Sequence, residues 1–342
     1  MMNLLLSAVL AAAATVTALA AQAQSVEEFY KGKTIQMMIG YGAGTGGDLY
    51  ARVLSRHIGN HIPGKPSVLL QNIPGASGLT AVNQLYNVAP KDGTVIGYGP
   101  RSLFINPLYG MEESRYESIK FTWLGSMSKE TSMCVTWHGS DIKTLEDAKK
   151  REVPVGSVGA GGSSYQFPIL LNGLFGTKFK PLLGYPSSAA IFLAVERGEL
   201  DGQCSFSWGT LKSAYPQWIE KKYLNYLAQL AVKKNPEIPD VPLVMDFAKD
   251  EETRQVLVLM FADQEMGRPV AAPPGVPADR ADALRAAFDA TMKDPAFLED
   301  ANKSGASIES PIAGREVESV LRSIYASPKE VVAKVKAATE IK

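Results

Sequence analysis

Three times in this sequence a short apolar run ends in a glycine- and serine-rich turn that opens an amphipathic stretch. Residues 34–40 lead into Gly42-Ala43-Gly44-Thr45-Gly46-Gly47-Asp48. Residues 67–71 lead into Asn72-Ile73-Pro74-Gly75-Ala76-Ser77-Gly78, and residues 153–158 into Gly159-Ala160-Gly161-Gly162-Ser163-Ser164. A strand that turns straight into a helix leaves backbone N–H groups unpaired at the helix start. The helix dipole adds partial positive charge there. Glycine lets another backbone or a ligand approach with no Cβ in the way. Together these features hold an anion without any Lys or Arg. One such turn alone is equally an ordinary tight connection. Turns that open two separate lobes carry more weight, because facing strand ends converge on one cleft.

Other chemistry is poorly supported. Gly42, Gly44 and Gly47 match the dinucleotide spacing G-x-G-x-x-G. That site also wants an acid at the end of the second strand for the ribose hydroxyls. Here that strand ends in Gln71-Asn72, so no nucleotide cofactor is expected. There is no G-x-S-x-G nucleophile elbow and no phosphate-binding G-x-x-x-x-G-K-[ST] loop. His57 and His61 could offer two imidazoles to a metal. No H-E-x-x-H accompanies them and Gly59 lies between, so they read as surface or capping residues and no metal is expected. Asp48 could act as a base, but its place at a helix start makes it a cap. Tyr41, Arg101, Tyr185 and Arg268 fall near predicted strand ends. Arg101, after Tyr98-Gly99-Pro100, could grip a carboxylate bidentately. The alternatives for each arginine are a solvated residue or a structural ion pair. A catalytic role is not expected.

The elements that must position these residues alternate between strand-like and helix-like patterns, as in α/β proteins built from right-handed crossovers. The sheet should therefore be largely parallel. The pattern restarts past about residue 126. With 342 residues the chain suits two domains. Residues 4–20 are apolar, and Ala21-Gln22-Ala23 gives a small-x-small cleavage pattern, so residues 1–23 read as a signal peptide cut after Ala23. Thirty-five Lys and Arg balance 35 Asp and Glu, which argues against a nucleic-acid or polybasic membrane role. Export permits a disulfide between the two cysteines, Cys134 and Cys204. Two buried free thiols are the alternative, because the sequence does not show how close their Cα atoms come.

Read together, these residues resemble the tripartite tricarboxylate transporter receptors, also called the Bug family of periplasmic solute-binding proteins. The likeness rests on residues 39–48, on Gln71-Asn72-Ile73-Pro74-Gly75-Ala76 and on Ala89-Pro90-Lys91-Asp92-Gly93-Thr94. Gly198-Glu199-Leu200-Asp201-Gly202 and Pro273-Pro274-Gly275-Val276-Pro277 extend it across nearly the whole mature chain. It implies a type II periplasmic-binding-protein fold, a Venus flytrap of two α/β lobes joined by a hinge. Residues 24–126 with 232–342 would form the first lobe and residues 127–231 the second. It also implies a carboxylate held by Tyr41, Ala43, Thr45, Gly46, Gly47 and Asp48 on one side. Gly159, Gly161, Gly162, Ser163 and Ser164 would hold it on the other, with Tyr185 and Asp201. The family often has a Pro-Phe pair before the first glycines, where this chain has Gly40-Tyr41. Neither citrate-like nor amino-acid ligands therefore follow from the resemblance. The expected partners are a small carboxylate and the membrane permease subunits of such a transporter, served by a monomer in the periplasm. A receptor that senses or scavenges without its own permease is a second reading, and an exported hydrolase a third.

Overall fold

The computed structural model describes residues 24–339; the expected signal peptide lies outside them. The chain opens with α1 (Val26–Tyr30), where Ser25 and Glu28 form a capping box. The first crossovers then run β1 (Thr34–Ile39), α2 (Gly46–His61), β2 (Ser67–Asn72), α3 (Leu79–Asn87) and β3 (Val95–Tyr98). A 3-10 stretch, Arg101–Tyr109, leads on to β4 (Thr122–Ser126). The second half of the pattern comprises β5 (Ser132–Trp137), β6 (Val153–Gly156), α4 (Ser163–Phe175), β7 (Phe179–Leu182) and α5 (Ser188–Glu196). It continues with β8 (Gly202–Ser207), α6 (Trp208–Ala214), α7 (Pro216–Glu220) and β9 (Leu224–Leu230). The chain closes with α8 (Glu251–Phe261), β10 (Pro269–Ala272), α9 (Ala278–Thr291), α10 (Pro295–Ser304), β11 (Ile312–Ala313), α11 (Gly314–Tyr325) and α12 (Lys329–Thr339).

Two sheets result. One has the order β11-β4-β10-β3-β1-β2, the other β7-β6-β8-β5-β9. β1 is parallel to β2 and β3, and β6 is parallel to β7 and β8. The sheets are nevertheless mixed, which corrects the expectation of largely parallel ones. β10 runs antiparallel to β3 and β4, and β5 runs antiparallel to β8 and β9. The reason is the route of the chain. β4 leaves the first sheet at the edge facing the second, and β5 begins only six residues later. A strand entering a sheet from that edge must run against the strands that end there. The same holds for β10 on the return.

β1 buries Ile35, Met37, Met38 and Ile39 and β3 all four of its residues, so both faces are covered by helices. The closing segment divides its packing. α9 and α10 lie on α2, whereas α12 packs on both α4 and α8. Phe167 of α4 meets Phe261 of α8 edge to face at 5.0 Å.

β8 carries a one-residue bulge. Cys204 pairs with Cys134 and Phe206 with Met133, so Ser205 is the extra residue. In a regular strand, residues two apart share a face. Here Cys204 joins the core with Cys134, while Phe206 joins the separate core with Met133 and Phe192. Cys134 and Cys204 stand directly opposite on neighbouring strands and their sulfurs meet. A thiol titration of protein exported to an oxidising compartment should therefore find no free thiol until it is denatured and reduced, and then two. Two thiols in the denatured, unreduced protein would rule the bond out.

Candidate functional site

A cleft opens between the facing ends of the two sheets. It is lined from the first sheet by residues 40–42, 44–47, 74–75, 77–78 and 100–102, and from the second by residues 162–164, 186–189 and 203, with 205–207. Glu130 and Arg268, where the chain passes between the sheets, form its floor. The loops of the first sheet come together because both carry glycine. A Cβ on Gly78, at φ +95°, would lie 2.6 Å from the Gly40 carbonyl oxygen, and one on Gly40 would lie 3.0 Å from the Gly78 Cα.

α2 starts at this cleft. Thr45 caps it, its hydroxyl accepting from the Asp48 N–H at 3.3 Å. Asp48 is buried and fully engaged. Its carboxylate accepts from the Gly44 N–H, the Arg52 guanidinium and the Asn72 amide, each at 2.9 Å. Asn72 also donates to the Tyr41 carbonyl at 2.9 Å. Burial opposes ionisation of Asp48, but these donors outweigh it and hold its carboxyl below the usual range. The Asp48 carboxylate thus shapes the loop and lies outside the cleft lining.

The N–H groups of the first turn lack intrahelical partners. Gly46 and Gly47 of α2, Ser163 and Ser164 of α4, and Ser188 and Ala189 of α5 are all in that turn, and all line the cleft. Three helix dipoles thus point into one space from both sheets. Ser187 caps α5, its hydroxyl accepting from the Ala190 N–H. Contacts across the cleft hold the two sides together. Ser77 donates to the Gly159 carbonyl at 3.3 Å and Asn106 to the Gly161 carbonyl at 3.0 Å.

Several sequence expectations change at this point. Ala43 is exposed and outside the lining. Gly159 and Gly161 also lie outside it and serve the contacts across the cleft. Tyr185 lies outside the lining and packs instead against the core that holds Phe192 and Phe206, while Pro186, Ser187, Ser188 and Ala189 line the cleft. Asp201 lies at the wrong end of β8: it precedes the strand, whereas the cleft is at the strand's end. Its carboxylate takes Ser140 at 2.6 Å and Arg151 at 2.8 Å. Tyr41, Thr45, Gly46, Gly47, Arg101, Gly162, Ser163 and Ser164 do line the cleft. Tyr41 packs on Tyr98 at 5.1 Å, and burial pushes its hydroxyl's pKa up, keeping it a neutral donor.

Arg101 faces the cleft but is not free. Its guanidinium lies 3.4 Å from buried Asp263 and donates to Ser132 at 2.8 Å. Arg268 is buried too. It donates to Glu130 at 2.9 Å, to Ser207 and Tyr98 at 3.2 Å each, and lies 3.7 Å from the Tyr50 ring centre. Gln203, Ser205, Phe206, Ser207, Phe192 and Thr210 line the cleft without having been singled out from the sequence. The small polar pair Ser205 and Ser207 just before a helix was the available signal, and the bulge hid it. His57 and His61 each take an acid at the start of or within α10, Asp300 at 2.8 Å and Asp294 at 2.9 Å. Among the described residues no three metal-capable side chains cluster.

Burial pushes the Asp263 carboxyl up to about 6, against the opposing pull of Arg101. Below that pH Asp263 takes a proton and leaves the Arg101 charge uncompensated. Affinity for a monovalent anion in the cleft should therefore rise as pH falls from 7.5 to 5. A gain of about 1 kcal/mol, roughly fivefold, is expected for one charge near the solvent-facing cleft. Titrations at both pH values should show it, and Asp263→Asn should flatten it. An affinity that falls over that range would contradict the assignment.

No family model matches the chain, and no curated protein sequence matches it. Solved structures do. The periplasmic binding protein BugD superposes with a TM-score of 0.70 at 18% identity, covering 92% of this chain and 99% of its own. A Rhodopseudomonas palustris protein solved with adipate gives 0.68 at 15%, covering 90% and 98%. MatC from Rhodopseudomonas palustris with bound malate gives 0.67 at 16%, covering 90% and 99%. The fold is that of two-lobed periplasmic binding proteins, as the sequence implied.

Proposed function

We propose that this chain is a non-catalytic periplasmic receptor of the Bug type that captures a small organic anion, a carboxylate, for a tripartite tricarboxylate-type permease. The observation that carries this reading is the convergence of the α2, α4 and α5 N-termini on one cleft from two sheets. Malate and adipate, named for two structures of the same fold, are both carboxylates. In this reading residues 24–126 with β10, α9, α10 and α11 move as one lobe, and residues 127–231 move as the other together with α8 and α12, which pack on α4 and each other. Ser77, Asn106 and Thr210 then mark where they meet on closure. The receptor works as a monomer and is exported after removal of residues 1–23.

A thermal-shift screen of the mature protein tests the reading. A ligand that binds only the folded state raises the melting temperature by mass action. Mono-, di- and tricarboxylates should include at least one that raises it, with sugars and cationic amino acids silent. A shift with a sugar or a cation and none with any carboxylate, repeated after unfolding and refolding to remove carried-over ligand, would overturn the proposal.

A further inference from the structure

The cleft holds features that discriminate among carboxylates. The geometry points to a ligand with a single carboxylate and a flat aromatic tail that carries a hydrogen-bond donor, the chemistry of a hydroxybenzoate. This rests on the receptor reading above and narrows it.

The first observation is charge. Among the described residues lining the cleft, the cations are Arg101 and Arg268, and each is offset by a buried acid, Asp263 or Glu130. The helix N-termini supply one region of positive potential, enough for one carboxylate. A second carboxylate on the same molecule would be desolvated with no uncompensated cation to meet it.

The second observation is the wall beside that region. Phe192 lies four residues beyond Ser188 on α5, one helical turn from the N–H groups that line the cleft. Phe206, turned toward it by the bulge at Ser205, packs on Phe192 with ring centres 4.2 Å apart. Tyr215 closes the corner edge to face on Phe192 at 4.8 Å, and all three line the cleft. Fully buried Trp218 stands behind them. An aromatic wall of this kind gains most from a flat ring, which can stack or meet it edge on.

The third observation is Gln203. It is 3% exposed, lines the cleft beside this wall, and its Oε1 has no hydrogen-bond partner. A buried acceptor left unpaired is costly, and a donor on the ligand tail would satisfy it.

Isothermal titration of the refolded mature protein tests the inference with 4-hydroxybenzoate, 3-hydroxybenzoate, benzoate, adipate, malate and 4-hydroxybenzamide. At least one hydroxybenzoate should bind tenfold or more tighter than adipate or malate, and severalfold tighter than benzoate. Gln203→Leu should erase the preference of the hydroxybenzoate over benzoate. Its melting temperature reports whether the variant is folded, and Gln203→Met, close in shape but without the carbonyl acceptor, should lose the preference in the same way. Adipate or malate binding as tightly as either hydroxybenzoate would overturn the aromatic tail and leave the carboxylate receptor intact. Equal binding of 4-hydroxybenzamide would instead sink the carboxylate reading. Absence of binding by every acid would overturn both.

Discussion

Arg268→Met should destabilise the protein by about 3–5 kcal/mol, the cost of breaking a buried ion pair by removing one partner. Arg268 is 4% exposed and Glu130 9%. Without the guanidinium, the Glu130 carboxylate keeps only the Ser207 hydroxyl at 2.8 Å and the adjacent Thr131 N–H at 3.1 Å. The Tyr98 hydroxyl loses its donor and the Tyr50 face loses its cation. The double variant Arg268→Met with Glu130→Gln should recover most of the loss, because it removes both charges together. Urea unfolding monitored by tryptophan fluorescence would show both effects as shifts in midpoint. A loss under about 1 kcal/mol in the single variant, the range of an exposed pair, would contradict the buried assignment. The pair also ties together parts that lie apart in the chain. Ser207 ends β8 in the second sheet, Tyr98 ends β3 in the first, and Glu130 lies in the segment between β4 and β5. A weaker ligand response in the single variant should accompany its lower stability.

Gly46→Ala is expected to weaken ligand binding roughly 10- to 100-fold, with little change in the unfolding of the ligand-free protein. A Cβ at Gly46 would lie 2.7 Å from the Thr210 Cγ2 and 3.1 Å from its Cβ, closer than side chains tolerate. Overpacking of this size costs about 1–3 kcal/mol. Gly46 belongs to α2 and Thr210 to α6, so the clash falls across the cleft and opposes closure, while each side can keep its own packing. Thr210 cannot swing far, because its branched side chain has few rotamers and its N–H is held by Ser207 at 3.0 Å. Adding Thr210→Ala should restore affinity by removing the opposing atoms. If the double variant binds as poorly as the single one, the loss comes from the α2 N-terminus itself and not from blocked closure.

The fold was largely legible because the crossovers are local. Residues 34–40 and 153–158 carry strand patterns, and the glycine turns after them mark where helices begin. Strand direction was less legible. Nothing local in residues 122–126 or 269–272 says that the chain has crossed from one sheet to the other, and that crossing decides whether a strand runs parallel or antiparallel. The site was half legible for the same kind of reason. Glycines and serines at helix starts announce unpaired N–H groups, so Gly46, Gly47, Ser163 and Ser164 could be chosen from the sequence. Asp48 could not be excluded, because its three donors include Asn72, which comes from β2, another element. Asp201 sits in a recognisable motif, but only the direction of β8 reveals that this motif faces away from the cleft. The aromatic wall depended on the bulge at Ser205, which breaks the two-residue alternation that strand reading assumes.

Backbone dipoles, rather than side-chain cations, should bind the anion in this cleft. The most direct measurement is calorimetric titration of the refolded mature protein with the acid that gives the largest thermal shift and with the primary amide of that acid. The pair has nearly the same shape and differs in charge. The acid should bind at least tenfold more tightly than the amide at pH 7. Equal affinities would contradict it, and would mean that the three helix N-termini do not read the ligand's charge.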